Sequence, residues 1–238
     1  GFRYYQLRVW DIDSREFLGE LAFEQHRVVD AQISPDGKQV LVLTDKWRIW
    51  DLFVERIPDR DTMSRVAIPS GVLRTVYSPS RDELGSYESS RHWIKYSPDS
   101  KWIVFSNSCS DDLSIADVPG FGNVRQLEVN GRRLVDADFF EINGKAMLIA
   151  VNVARDIRVW NVETGQCTNT ILRVDPLSYE ERTYYSPRIC VSPRNDVAVV
   201  TFGSRLFIYS LPGVECIDTF DVDGGPSRCA FSPTNPDI

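Results

Sequence analysis

The side chains best suited to chemistry recur at one position of this sequence, the fourth residue before a turn. The turn is marked by a Ser-Pro pair such as Ser34-Pro35, and Asp136 joins the set when 135–139 is aligned with 29–33. The residues at this position are Asp30, Trp93, Asp136, Arg188 and Arg228. Two carboxylates can divide the roles of acid and base in glycoside hydrolysis. Arginine and tryptophan, in contrast, are common anchors of protein recognition.

Strand alternation predicts where these side chains point. Their neighbours in the chain are largely apolar, so the position itself should turn to the opposite face. Charged groups are rarely stable in an apolar core unless they are paired, and we therefore expect this face to be open to solvent. Two interpretations stay open here: a water-filled passage lined with compensating charges, or a rim that recognises a partner.

The elements that hold these residues come from a repeated unit. A short apolar strand that ends in Trp-Asp, or in a degraded copy of it, occurs five times, with Ser-Pro pairs in a fixed phase. Two motifs in constant phase indicate a structural repeat. The five strand motifs are Leu7-Arg8-Val9-Trp10-Asp11, Trp47-Arg48-Ile49-Trp50-Asp51, Leu113-Ser114-Ile115-Ala116-Asp117, Ile157-Arg158-Val159-Trp160-Asn161 and Leu206-Phe207-Ile208-Tyr209-Ser210.

Each unit is predicted to consist of β-strands. In the first complete unit, 27–33 and 38–44 are strands around the turn Ser34-Pro35-Asp36-Gly37, and 47–52 is the next strand. β-Branched and aromatic residues cluster in such runs between turn-forming residues. No window sustains apolar residues at helical spacing. The predicted class is therefore all-β, with radial repetition of the strands.

The first complete unit resembles the WD40 family of β-propellers, because Gln25-His26, Ser34-Pro35-Asp36-Gly37, Asp45 and Trp50-Asp51 follow that family's order. The resemblance covers nearly the whole chain except 53–90. It implies a β-propeller of four-stranded antiparallel blades. In the family, a histidine, a turn carboxylate and the strand tryptophan form a structural hydrogen-bond network. The matching residues are His26, Asp45 and Trp50, with Asp156 and Trp160 in a later unit that lacks the histidine.

The resemblance also divides the chain into blade units within a single propeller domain, 1–238. The chain starts in the third strand of one blade and stops where a second strand should begin. We therefore expect an incomplete ring and a fragment of a longer protein. The expected units are about 1–26, 27–90 including an insertion near 53–90, 91–131, 132–183, 184–225 and a partial unit at 226–238.

Bulk properties narrow the function classes. A net charge of −7 argues against a nucleic-acid surface, and no apolar stretch is long enough for a membrane span. The five cysteines are an odd number without close pairs, which favours reduced thiols over a zinc site. Reduced thiols indicate an intracellular protein, cytoplasmic or nuclear. The strong catalytic and nucleotide-binding motifs are missing, so we expect no catalytic residues and no cofactor.

The first functional hypothesis is a non-catalytic scaffold that mediates protein–protein interactions in a multi-subunit complex. The resemblance implies this class, since most of the family are interaction platforms. The candidate binding residues are Arg91, His92, Trp93, Arg188 and Arg228. Guanidinium groups pair with carboxylate or phosphate oxygens in a two-pronged geometry, so the expected partner is a protein or peptide with an acidic or phosphorylated segment.

Two alternatives share the same fold. One is an accessory propeller that controls a hydrolase or peptidase domain. The other is a propeller glycosidase that uses carboxylates at the mouth of the channel, with Asp30 and Asp136 as the candidate pair.

Overall fold

A computed structural model gives the conformation of most of the chain, and every regular element in the described part is a β-strand. The expected all-β class is therefore confirmed. The described part also contains no helix that could cross a membrane. The described residues are 4–10, 12–24, 27–37, 39–44, 49–53, 55–56, 66–67, 74–77, 93–106, 113–118, 123–127, 129, 134–171, 187–222 and 229–232.

The strands follow one another with short connections along much of the chain. They are β1 (Tyr4–Trp10), β2 (Phe17–Glu24), β3 (Val28–Ile33), β4 (Gln39–Thr44), β5 (Ile49–Phe53), β6 (Glu55–Arg56), β7 (Val66–Ala67), β8 (Arg74–Tyr77), β9 (Ile94–Tyr96), β10 (Trp102–Ser106), β11 (Leu113–Asp117), β12 (Arg125–Leu127), β13 (Leu134–Ile142), β14 (Lys145–Asn152), β15 (Ile157–Asn161), β16 (Cys167–Ile171), β17 (Arg188–Val191), β18 (Val197–Phe202), β19 (Arg205–Ser210) and β20 (Glu215–Asp221).

These strands form four sheets of four strands and two sheets of two strands within the described residues. The four-stranded sheets have the orders β3-β4-β5-β8, β12-β11-β10-β9, β13-β14-β15-β16 and β17-β18-β19-β20. Paired strands run antiparallel, as in β13 to β16. Successive antiparallel strands joined in sequence order are compatible with the blades of a β-propeller-like fold.

The segment 53–90 contributes to two of these sheets. Strand β8 pairs with β5 and supplies the fourth strand of its sheet, whereas within the described residues β6 and β7 form a two-stranded sheet with each other. The fourth strand of this sheet thus comes from well after β5 in the chain.

The Trp-type motif corresponds to a repeated irregularity in the sheets. The pairing register shifts at Val9/Trp10, Ile49/Trp50, Val159/Trp160 and Ile208/Tyr209, each time between the motif strand and the strand that follows it in the sheet. A bulge of this kind inserts one residue and increases the local twist. At these four of the five motifs, the sequence repeat is therefore also a repeat of local geometry.

The serines of three Ser-Pro pairs each close a turn. Ser97 is fully buried, and its Oγ donates to Asp99 Oδ1 at 2.6 Å and accepts from the Trp102 amide at 2.9 Å. Because both functions of the hydroxyl are used inside the fold, these serines are structural. Equivalent contacts join Ser34 to Asp36 and Gln39, and Ser192 to Asp196 and Val197.

The chain divides into two compact parts, 1–103 and 104–238. In the first, Phe23, Val40 and Val42 form a buried apolar cluster. In the second, a buried apolar cluster joins β13, β14 and β15 to the sheet of β17 to β20. Its buried members are Phe140, Met147, Ile149, Val151, Ile157, Val159, Ile189, Ala198, Val200, Phe202, Phe207, Tyr209 and Val214.

The turn carboxylate Asp99 predicts a pH dependence of stability. Partial burial acts to raise the pKa of Asp99, but hydrogen bonds from Ser97 and the Lys101 amide, together with the Lys101 charge, outweigh it and lower the pKa below 3.8. The ionised group therefore stabilises the fold above this pH, and its contribution is lost as the pH falls through the lowered pKa. We expect the stability difference between wild type and Asp99→Asn to shrink on acidification below about pH 4.

Denaturant unfolding at several pH values checks this prediction, with the exposed carboxylate variant Asp13→Asn as the control. A difference between wild type and Asp99→Asn that stays constant down to pH values well below the ordinary aspartate pKa would contradict it.

Candidate functional site

The structure describes two of the five residues predicted to bind a partner. Trp93 is buried, with 6% of its surface exposed, and the Arg188 side chain is 15% exposed. Arg91, His92 and Arg228 lie outside the described residues. The binding role of this set stays a prediction, but Trp93 does not offer a flat exposed contact in this chain.

Asp136 joins two neighbouring sheets in the second compact part. It lies in β13, is 5% exposed, and its Oδ1 accepts a hydrogen bond from the Ala137 amide at 3.1 Å. Its Oδ2 accepts a second bond, also 3.1 Å, from the Ile189 amide in β17. Nη1 of Arg188 lies 4.0 Å from the same oxygen. The carboxylate thus fastens the first strand of one sheet to the first strand of the next.

Asp30 makes the same pair of contacts in the first compact part. Its Oδ1 accepts from the Ala31 amide at 2.9 Å, and its Oδ2 accepts from the Ile94 amide at 3.0 Å. Ile94 follows Trp93 as Ile189 follows Arg188, so the two bonds are equivalent in the repeat. The recurring carboxylate therefore serves the connection between successive sheets.

The expectation that this position is open to solvent is wrong for Asp136, and Asp30 is half-buried. The reason is that a neighbouring sheet covers this position: the Ile189 amide of β17 meets Asp136, and the Ile94 amide of β9 meets Asp30. Strand alternation predicts the face on which a side chain lies, but not whether another sheet covers that face. Hydrogen bonds from backbone amides then offset much of the cost of removing the charge from water.

Two further contacts strengthen the same connection between β13 and β17. Asp138 Oδ2 accepts from the Val191 amide at 2.9 Å, and Asn195 Oδ1 accepts from the Glu141 amide at 3.1 Å. Sequence reasoning missed both residues. The signal was present for Asp138, which lies two positions after Asp136 and therefore on the same face of the strand.

The family-type network is described only in part. His26 and Asp45 lie outside the described residues, and for Trp50 the backbone alone is described. Trp160 is buried in β15, and Asp156 is buried before it. Whether Trp50 packs beside His26 stays a prediction.

The partner of Asp156 that sequence reasoning missed is Asn152. Asn152 Nδ2 donates to Asp156 Oδ2 at 3.0 Å, and Asn152 Oδ1 accepts from the Asp156 amide at 2.8 Å. Asn152 Oδ1 also accepts from the Ala154 amide. Arg155, which lies between Ala154 and Asp156, has a positive φ of 70°. Asparagine commonly closes turns by bonding to the backbone two residues on, which is the signal that could have identified it.

At this site the carboxylates of Asp30 and Asp136 bind backbone amides and are not arranged as reactive groups. No cluster of three or more His, Cys, Asp or Glu side chains suited to a metal ion occurs within the described ranges. Both Asp136 oxygens accept bonds from buried amides, which leaves the carboxylate little room to meet a substrate.

Comparison with known proteins adds no family: no family model matches this chain, and a search of curated proteins finds no significant match.

The contacts of Asp136 predict a large loss of stability on truncation. Asp136→Ala would leave the buried amides of Ala137 and Ile189 without their acceptor and Arg188 without its counter-charge. We expect the free energy of unfolding to fall by about 3 kcal/mol. Denaturant titration measures this loss.

Asp218→Ala is the matched control, since Asp218 is exposed but accepts from the next amide, that of Thr219, at 2.8 Å. The control should change stability by about 0.5 kcal/mol or less. Equal losses in the two variants would show that the bond from Ile189 to Asp136 contributes nothing.

Proposed function

We propose that this chain is a non-catalytic scaffold of the WD40 type, a β-propeller that mediates protein–protein interactions in a larger complex. The observation that carries the proposal is the use of the recurring carboxylates. Asp30 and Asp136 each accept the backbone amide of the next sheet's first strand, at 3.0 and 3.1 Å. Residues that join one sheet to the next suit a platform, which needs rigidity more than reactivity.

The same contacts weigh against the glycosidase alternative. Glycoside hydrolysis needs two carboxyl groups that reach the scissile bond from opposite sides. Asp136 is buried and its two oxygens accept amide bonds, so presenting it to a sugar would require breaking the contact between β13 and β17. A structural role for this carboxylate is the simpler account.

Arg188 is the described residue that best supports the predicted acidic partner. It is charged, its side chain is 15% exposed, and its separation from Asp136 of 4.0 Å is long for an ion pair. Its Nε is buried and donates no hydrogen bond to any described residue, which leaves the Nη groups as the donors that a partner could reach. A guanidinium with unused donors can still bind a carboxylate or phosphate of a partner in a two-pronged geometry.

The test uses partner capture with the full chain. Immobilised wild type, Arg188→Gln and the exposed-residue control Lys145→Gln are incubated with a cell extract, and bound proteins are identified by mass spectrometry. Arg188→Gln removes the charge without placing a second carboxylate beside Asp136. We expect proteins captured by wild type to bind Lys145→Gln equally and Arg188→Gln about thirtyfold or more weakly, since loss of one member of a buried charge pair costs about 2 kcal/mol or more.

A synthetic acidic or phosphorylated peptide should displace the same proteins from wild type. Arg188→Gln leaves the buried Asp136 without its counter-charge and should lower the melting temperature, so capture is compared at a temperature at which all three proteins are folded by circular dichroism. Equal capture by all three variants would remove Arg188 from the interface, and absence of any specific capture would contradict the scaffold function.

A further inference from the structure

Arg158 is a buried cation without a counter-charge in the described part of the chain. It lies in β15 with 7% of its surface exposed, and its Nε has no hydrogen-bond partner among the described residues. The residues opposite it in the sheet are Ala150 in β14 and Thr170 in β16, and neither side chain is charged. A guanidinium in such a place is costly unless an anion accompanies it.

Arg158 lines a cavity of about 600 Å³ beside the outer strand β16. A cavity of this volume is in the range that holds small molecules. The lining combines a guanidinium, two carboxamides, a hydroxyl and a thiol, and none of these residues is Asp or Glu. The residues are Gln126, Arg158, Trp160, Gly165, Gln166, Cys167 and Thr170. Hydrogen-bond donors around one positive charge suit a ligand with negatively charged oxygens.

One wall of the cavity is held by Arg125. Its Nη1 donates to the Glu163 carbonyl at 2.6 Å and its Nη2 to the Val162 carbonyl at 2.8 Å. These bonds tie β12 to the turn that carries Gly165 and Gln166. These hydrogen bonds therefore fix the position of this wall of the cavity.

The first hairpin, formed by β1 and β2, contains an arginine equivalent to Arg158 that has a counter-charge. Arg8 takes the place of Arg158 in the repeated motif, and its partner across the sheet is Glu20. Arg8 Nε lies 3.2 Å from Glu20 Oε2, so this hairpin supplies its own anion. In β16 the place of Glu20 is taken by Thr170, which removes the carboxylate. The bulge after Val9 matches the bulge after Val159, so the two registers are directly comparable.

We propose that the cavity is a binding site for a small oxyanionic ligand, a carboxylate or phosphate compound, whose negative group pairs with Arg158. The carboxamides of Gln126 and Gln166 and the hydroxyl of Thr170 add donors around that group. The ligand supplies in the sheet of β13 to β16 the charge that Glu20 supplies in the first hairpin. This site is separate from Arg188 and does not rest on the scaffold function.

The thiol of Cys167 reports occupancy of the cavity, because it lines the cavity, is free and is exposed. Cys216 is the internal control. It is also free and exposed, and it pairs with Tyr209 at the same bulge where Cys167 pairs with Trp160. In that sheet the place of Arg158 is taken by Phe207.

The experiment measures alkylation of both thiols of the full chain by iodoacetamide, followed by peptide mass spectrometry. Inorganic phosphate and acetate are added in separate arms, with sodium chloride at equal ionic strength as the reference. We expect one or both oxyanions, near saturation, to slow alkylation of Cys167 about fivefold or more and to leave Cys216 unchanged. The arm that protects identifies the phosphate or the carboxylate as the preferred group.

Two variants connect protection to the guanidinium. Arg158→Gln should fold at least as well as wild type without added anion and should lose the protection. Thr170→Glu should place a carboxylate opposite Arg158 as Glu20 does opposite Arg8, and should also lose it. The ratio of rates with and without the anion is compared within each protein, since Thr170 Oγ1 lies 3.4 Å from Cys167 Sγ.

Protection by neither oxyanion overturns the proposal. Equal protection of Cys167 and Cys216, or protection that persists in Arg158→Gln, overturns it as well, because either result would reflect a general ion effect.

Discussion

The structure depends on satisfying the backbone amides where the first strand of one sheet meets the first strand of the next. A buried amide without an acceptor costs free energy comparable to a lost hydrogen bond. Asp30 accepts the amide of Ile94, and Asp136 accepts that of Ile189. Each carboxylate also accepts the amide that follows it in its own strand. One side chain therefore satisfies an amide of its own strand and an amide of the next sheet.

Much of the fold could be predicted because its signals are local. The strands predicted at 27–33 and 38–44 are observed as Val28–Ile33 and Gln39–Thr44, and the Ser-Pro pairs at Ser34, Ser97 and Ser192 close turns as expected. Alternation, turn residues and the motif phase carry this information within a few residues. The end of the third strand of this unit, β5, was predicted at residue 52, but the strand extends to Phe53.

The surroundings of the candidate site were harder to predict, because they depend on contacts between distant segments. Alternation placed Asp136 on a solvent face, but strand β17 covers that face and the amide of Ile189 bonds to the carboxylate in the interior. The residues near Asp136 in the sequence do not indicate which strand will cover it. The sequence also did not predict that Arg158 lacks a counter-charge. This becomes apparent only from the strand pairing, in which Arg158 lies opposite Thr170 whereas Arg8 lies opposite Glu20. Equivalent positions in the repeat thus have the same backbone geometry but carry different side chains with different roles.

Amide hydrogen exchange measured residue by residue by NMR tests the central role of these carboxylates most directly. Ile94 and Ile189 should be protected in the wild-type chain. Asp30→Ala should accelerate exchange at Ile94 and leave Ile189 protected, whereas Asp136→Ala should accelerate exchange at Ile189 and leave Ile94 protected. Unchanged exchange at the matching amide in both variants would show that the sheets are held together by other contacts and would contradict this account.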